Sequence, residues 1–261
     1  MTPDSIRSAA ASLLTAYQTG KPIDPLSDTY PHATVSDAYR MQLEQVRAWT
    51  QRGEVVVGHK VGLVSAAIRR QMRVAEPDYG HLTSRMIHPE HEPIPSAAFL
   101  QPRVEPELAF VLKAPLRGPH VTVADAARAV EFVLPALEIV DSRIADWRIT
   151  IVDTIADNAS SGGFVLGSTP VRLDDADLRL AGCVLTVNGA VAETGAGAAV
   201  LGSPLNALAW LANTLAPMGI ALEPGHIVLS GSMTRTVPIA AGDCVVAAIN
   251  GFGSVTAVLS E

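Results

Sequence analysis

Apolar positions along this chain follow two rhythms. Near the N-terminus they recur at helical spacing: Ile6, Ala9, Ala10, Leu13, Leu14 and Tyr17 predict an amphipathic helix over residues 4–18, with Asp4 as N-cap and Gly20 as stop. Pro22, Pro25 and Pro31 mark a loop. A second helix is expected from Ser36 to about Arg52, with Tyr39, Leu43 and Val46 on one face and Gly53 ending it. This pair, over 1–53, reads as a helical packing cap. From Glu54 the rhythm changes to continuous apolar runs. Val55–Leu63 reads as a strand broken by glycines, where backbone comes close to something else. Ser65 caps a short helix, Ala66–Met72, and Glu76–Leu82 reads as a loop. Leu108–Leu112 and Phe132–Val140 read as buried strands, separated by a helix that Thr122 and Asp125 open and that runs on to Val133.

The remainder is rich in strands. Asn188-Gly189, between Cys183–Val187 and Ala190–Glu193, predicts a type I′ hairpin. Ser203-Pro204 opens a helix through Ala216, with Gly219 as its stop. His226–Leu229 is a strand ending in Ser230-Gly231-Ser232, and Cys244–Ile249 with Ser254–Leu259 form a last hairpin. The expected class is α+β: a helical cap over 1–53, then a β-rich domain over 54–261 with a curled, barrel-like mixed sheet.

Composition narrows the function classes. With 48% hydrophobic and 17% charged residues in 261, the chain is globular and can bury a large core. A net charge of -7 without a basic cluster excludes a nucleic-acid surface. No apolar run is long enough to span a membrane, and Met1-Thr2-Pro3-Asp4 lacks the features of a signal peptide, so a cytoplasmic protein is expected. Cys183 and Cys244 lie in strand-like runs and read as reduced thiols.

The candidate chemistry lies in carboxylates placed where strands should be buried. Glu105 and Glu107 open an apolar strand two residues apart, so both project from one face. Pro106 between them cannot donate to a ladder, which predicts an edge or rim. Alone, the pair also fits a solvated strand end. Glu138 sits mid-way in the second apolar run, where burial without a cation is costly; a divalent ion or an ion pair with Arg143 would answer it. Lys60, in the glycine-flanked strand, is either an amine snorkelling to water or a partly desolvated one with a lowered pKa. Asp78, Tyr79 and His81 offer acid, phenol and imidazole, or only turn chemistry. The long polar connection 141–161 is of the kind that often carries function.

Taken in order, Gly58-His59-Lys60-Val61-Gly62-Leu63, Pro77-Asp78-Tyr79-Gly80, Arg103-Val104-Glu105-Pro106-Glu107, Leu134-Pro135-Ala136-Leu137-Glu138 and Asp153-Thr154-Ile155-Ala156-Asp157-Asn158-Ala159-Ser160 resemble the 2-keto-4-pentenoate hydratase and 4-oxalocrotonate decarboxylase family, within the fumarylacetoacetase-like superfamily. The resemblance implies a fumarylacetoacetase-like mixed sheet or roll. It implies Glu105, Glu107 and Glu138 as ligands of Mg²⁺ or Mn²⁺, hard ions suited to carboxylate oxygens. Lys60 and Asp78 become the catalytic residues and Ser160 a substrate-binding one, although Ser160 also suits a structural turn. The implied substrate is a small 2-hydroxy-2,4-dienoate, hydrated to a 4-hydroxy-2-oxoalkanoate in meta-cleavage catabolism of aromatic or steroid compounds. A homo-oligomer is implied, as is association with a neighbouring pathway enzyme. Three carboxylates and a substrate carboxylate around one dication leave net negative charge, which favours Lys60 as an ammonium.

Three other readings stay open at this level. Decarboxylation of 4-oxalocrotonate would use the same metal; Tyr79-Gly80-His81-Leu82 leans that way, and Val152-Asp153-Thr154-Ile155 with Ser161-Gly162-Gly163-Phe164 leans to the hydratase. A non-catalytic partner subunit should lack a ligand or the lysine. A metal-stabilised binding module should lack turnover.

Overall fold

A computed structural model describes residues 1–261. The N-terminal apolar periodicity forms α1 (Pro3–Thr19), capped by Thr2, whose hydroxyl accepts the Ser5 N–H. Asp4, expected as the cap, lies instead in the first turn, where its charge complements the helix dipole. Gly20 ends the helix at φ 64° as anticipated. After α2 (Leu26–Thr29), a Thr34/Asp37 capping box opens α3 (Val35–Gln51). Its buried face is Ala38, Met41, Gln42, Gln45, Val46 and Trp49, while the expected Tyr39 and Leu43 are only half-buried. The glutamines can be buried because they bond backbone: Gln42 Nε2 donates to Tyr79 O at 3.0 Å and Ile155 O at 2.9 Å, and Gln45 Nε2 to Ala156 O at 2.6 Å.

The body begins with β1 (Val56–Gly62), α4 (Ala66–Met72) and β2 (Asp78–Thr83), followed by the two-residue strands β3 (Ile87–His88) and β4 (Ile94–Pro95). Its centre is β5 (Arg103–Leu112), α5 (Val123–Ala129), β6 (Val130–Val140), α6 (Ile151–Ala156) and β7 (Ser161–Leu166). It closes with β8 (Gly182–Val187), β9 (Ala190–Ala196), α7 (Pro204–Leu215), β10 (Ile227–Leu229), β11 (Val237–Pro238), β12 (Cys244–Ile249) and β13 (Gly253–Ser260). One mixed sheet has the order β2-β1-β10-β5-β6-β7-β3, with β11 also beside β5; the other runs β4-β13-β12-β8-β9. The second packs against one face of the first, Leu185, Val245, Val255 and Ala257 meeting Val104, Leu137, Ile139 and Val165. The opposite face of β5 and β6 holds Glu105, Glu107 and Glu138, and α3 lies over its apolar part through Val46 and Trp49 against Leu82, Ala109, Ala136 and Phe164.

Three expectations are corrected. Residues 78–83 are a wholly buried strand paired with β1, not part of a loop. Their polar side chains look like turn chemistry only until their partners are seen: Tyr79 stacks on Tyr39 at 4.5 Å, and His81 Nδ1 lies 3.0 Å from Gln42 Oε1. The helix after Thr122 does carry its capping box but stops at Ala129, because pairing of β6 with β5 claims Val130 onward. Pro106 lies in a central strand rather than at a rim. It is tolerated because its carbonyl, and with it the side of its missing N–H, faces the loop after β10, where Met233 N–H bonds Pro106 O at 3.0 Å. The Asn188-Gly189 hairpin is as expected, with φ 53° and 81°. No helix is long and apolar enough to cross a membrane.

Candidate metal centre and active site

Register brings the three glutamates together. Glu105 lies directly opposite Glu138 across the β5/β6 ladder, and Glu107 follows two residues on, on the same face. One carboxylate oxygen from each lies within 4.8 Å of the others; Glu107 and Glu138 are fully buried and Glu105 is partly open. Glu107 Oε2 accepts the Gly231 N–H at 2.6 Å, whereas Glu107 Oε1 and both oxygens of Glu138 have no hydrogen-bond partner. Burial and the Glu138 charge push the Glu105 carboxyl up to about 7. Glu107 is held well above its ordinary range by burial and then by Glu138 and Glu105, and burial raises Glu138 despite Lys60. Unpartnered, mutually repelling carboxylate oxygens aimed at one point fit a hard divalent cation, which would accept oxygen donors alone.

Lys60 is the cation of this group. It is buried and does not snorkel; Nζ donates to Ala159 O at 3.0 Å and pairs with the Glu138 carboxylate, 3.2 Å from Oε1. Burial opposes its charge, but Glu138, Asp78, Glu105 and Glu107 outweigh that and raise its pKa, so the lowered value considered from sequence is corrected. Arg143, the other candidate partner for Glu138, is taken elsewhere: Nε bonds Asp157 Oδ1 at 2.6 Å, Nη1 is 3.4 Å from Asp141 Oδ2, and the guanidinium sits 4.3 Å from the Tyr17 ring centroid.

Asp78 is buried on the same face, opposite Gly62, its Oδ1 unpartnered and its pKa raised by burial against the pull of Lys60. Ser160 is buried too, its hydroxyl 3.1 Å from that of Thr154 and its backbone next to the carbonyl that receives Lys60. Thus Lys60, Asp78 and the three glutamates share one site, with Ser160 on the turn beside it. His81 does not join them: it projects to the other sheet face beside His59, at 4.8 Å between ring centroids, and burial pushes it down to about 4.

The polar connection supplies more than was anticipated. It is mostly buried, and Asn158, Ala159 and Ser160 are three consecutive non-glycine residues in the left-handed region, at φ 52°, 52° and 53°. Asparagine tolerates this region, but Ala159 and Ser160 each cost roughly 1–2 kcal/mol there, so the surroundings must enforce the turn. The Gly231 N–H and the Ala159 carbonyl escape a reading of side chains altogether, since their signal is backbone geometry. Gln42 and Gln45 had a legible signal: polar residues on the helical stripe that carries Met41 and Val46.

The Fumarylacetoacetate (FAA) hydrolase C-terminal family matches residues 51–260. The chain belongs to this family. Its FAA-hydrolase fold is the mixed-sheet architecture expected from the sequence. The chain is 48% identical over 255 residues to 2-keto-4-pentenoate hydratase of Paraburkholderia xenovorans (strain LB400), covering 98% of this chain and 95% of that one. It is 42% identical over 258 residues to 2-hydroxyhexa-2,4-dienoate hydratase of Comamonas testosteroni, covering 98% of each. Among solved structures, 4-oxalocrotonate decarboxylase from Pseudomonas putida G7, complexed with magnesium and adipate, superposes with TM-score 0.96 at 37% identity, covering 99% of this chain and 98% of that one.

Gly62 marks how tightly this FAA-hydrolase site is built. A Cβ there would lie 2.2 Å from Asp78 Oδ1 and 3.4 Å from Lys60 Nζ. Gly62→Ala is therefore expected to force Asp78 aside and lower stability by about 1–3 kcal/mol, read as a fall in the chemical denaturation midpoint. An unchanged midpoint would mean that Asp78 moves freely.

Proposed function

We propose that this chain is a divalent-metal-dependent hydratase that adds water to a 2-hydroxy-2,4-dienoate and yields a 4-hydroxy-2-oxoalkanoate. The observation that carries the reading is the convergence of Glu105, Glu107 and Glu138 beside buried Lys60, in a chain 48% identical to a 2-keto-4-pentenoate hydratase across nearly its whole length. Glu105, Glu107 and Glu138 would hold the ion, Mg²⁺ or Mn²⁺. Bound there, a dication supplies Lewis acidity toward the substrate carboxylate and 2-oxygen.

The residues divide the remaining chemistry. Lys60 enters as an ammonium, so at the 2-oxygen it holds a proton and offsets negative charge rather than acting as a free base. Asp78 lies in the same buried group with an unpartnered oxygen and raised proton affinity; it is the acceptor assigned to the incoming water. Ser160 would donate its hydroxyl to the substrate carboxylate by turning from Thr154. In balance, the hydrogen leaving the 2-hydroxyl ends on C5, the water oxygen joins C4 and the remaining hydrogen joins C3. Burial of Lys60, Glu107, Glu138 and Asp78 keeps bulk water from competing.

Decarboxylation is the second reading, favoured by the match at TM-score 0.96 to 4-oxalocrotonate decarboxylase. The hydratase is preferred because its relatives reach 42–48% identity, against 37% for the decarboxylase. A non-catalytic subunit would lack part of the constellation, and no part is absent. With Mg²⁺ or Mn²⁺ present, 2-hydroxypenta-2,4-dienoate or its one-carbon-longer homologue is expected to lose its dienoate absorbance without CO₂ release. CO₂ release from 4-oxalocrotonate, with no consumption of either dienoate, would replace hydratase by decarboxylase.

A further inference from the structure

The left-handed turn beside the site is held on the β2 side by a side chain that no step of the proposed reaction uses. Asn158 docks on the open edge of β2: Oδ1 accepts the His81 N–H at 2.8 Å and Nδ2 donates to His81 O at 2.9 Å. It pairs with the strand as another strand residue would. Its own carbonyl lies over Gly80, where a Cβ would come within 2.4 Å of Asn158 O. Gly80 is the register partner of Lys60, so this contact sets the turn directly over the lysine. From the other side Asp157, preceding the turn, is fixed by Arg143, which also donates to Asp157 O and Ser161 O at 3.2 and 3.1 Å. Between these anchors the chain turns left-handed and presents Ala159 O to Lys60 Nζ at 3.0 Å.

We infer that Asn158 is a positioning residue for Lys60: by clamping the Asn158–Ser160 turn to the β2 edge, it fixes the carbonyl that orients the lysine toward Glu138 and the substrate. An ammonium has three donors that rotate freely on a four-carbon stem, so one fixed acceptor restricts where the other two point. Asparagine suits the task twice, because it tolerates the left-handed region and its amide offers both donor and acceptor to one peptide unit. The inference deepens the proposed function, and its kinetic half rests on that reading.

Asn158→Gly tests it, since glycine keeps the left-handed backbone and removes only the clamp. With the metal-loaded enzyme, kcat is expected to fall about 10- to 100-fold while KM stays within about threefold. Asn158→Asp, which keeps the acceptor for His81 N–H and loses the donor to His81 O, should fall between the two. A second readout does not need turnover. The chain has only three lysines, Lys21, Lys60 and Lys113, so ¹³Cε-lysine labelling gives three resolvable signals, and Lys60→Met identifies the one that matters. In Asn158→Gly that signal is expected to shift or broaden while the other two stay in place. Unchanged kcat and an unmoved Lys60 signal in the folded variant would overturn the inference. So would a lower kcat with the signal unmoved, because the loss would then come by another route. If Asn158→Gly fails to fold, the same two readings on Asn158→Asp decide. A shifted Lys60 signal in a protein whose wild type turns over neither dienoate would support the positioning role and remove the hydratase reading alone.

Discussion

Replacing Lys60 with methionine is expected to lower kcat by about 1,000-fold or more, the upper range for losing a positioned acid or base. The size follows from the site's charge. Lys60 is the cation in a buried group that holds Glu105, Glu107, Glu138 and Asp78, and all four act on its protonation. Without it, developing negative charge at the 2-oxygen has no ammonium to meet. Methionine keeps much of the volume, so lost packing contributes little. Removing one partner of a buried ion pair ordinarily costs roughly 3–5 kcal/mol. Here the cost is blunted, because carboxylates already raised in pKa can take up protons instead. The variant should therefore fold, with a circular dichroism spectrum like that of the parent. Arginine is not expected to rescue it: a planar fork cannot keep both the Ala159 carbonyl and Glu138 where a single ammonium meets them. Turnover of folded Lys60→Met within tenfold of the wild type would remove Lys60 from the chemistry.

How much of this was legible depended on where each signal is stored. Alternation placed Glu105 and Glu107 on one face, and an unpaired acid in an apolar run marked Glu138 as needing a cation. That Glu105 and Glu138 lie face to face is a matter of register between strands with a helix between them, which local pattern does not encode. Lys60 was legible as an anomaly but not as to its fate, because burial and snorkelling leave the same mark in a sequence. The strand Asp78–Thr83 looks like a loop in sequence for a physical reason: its polar residues resemble a turn, and Tyr39, Gln42 and Asn158, distant in sequence, partner them inside. The end of α5 was misplaced similarly, since pairing with β5 overrode helical periodicity at Val130 and Val133. The stop at Gly20, the Thr122 capping box and the Asn188-Gly189 turn are readable because their causes lie within a few residues; Ser65 holds the position before α4 but makes no side-chain cap.

Removal of the divalent ion is expected to abolish hydration while leaving the fold, and the stability lost with the ion should grow as pH rises. In the metal-free protein, burial and the Glu138 charge raise the Glu105 carboxyl from its ordinary 4.5 to about 7. A group whose folded pKa lies above its unfolded value binds more protons folded than unfolded between those two values, so stability falls as pH rises from about 4.5 to 7. Glu107 and Glu138 shift in the same direction and extend the effect. With Mg²⁺ or Mn²⁺ present the ion competes with those protons, so affinity should rise with pH across the same window and binding should release protons. At an ion concentration 100 times Kd the expected stabilisation is about 2.7 kcal/mol, seen as a saturable rise in Tm. Calorimetric titrations in buffers of different ionisation enthalpy would read the released protons directly. Glu138→Gln should lose both the metal-dependent rise in Tm and turnover, because it would remove the charge of a proposed ligand but keep its shape. A chelated enzyme that still hydrates dienoates at the original rate, or a Glu138→Gln protein whose Tm responds to Mg²⁺ as the wild type does, would show that the three carboxylates serve another purpose.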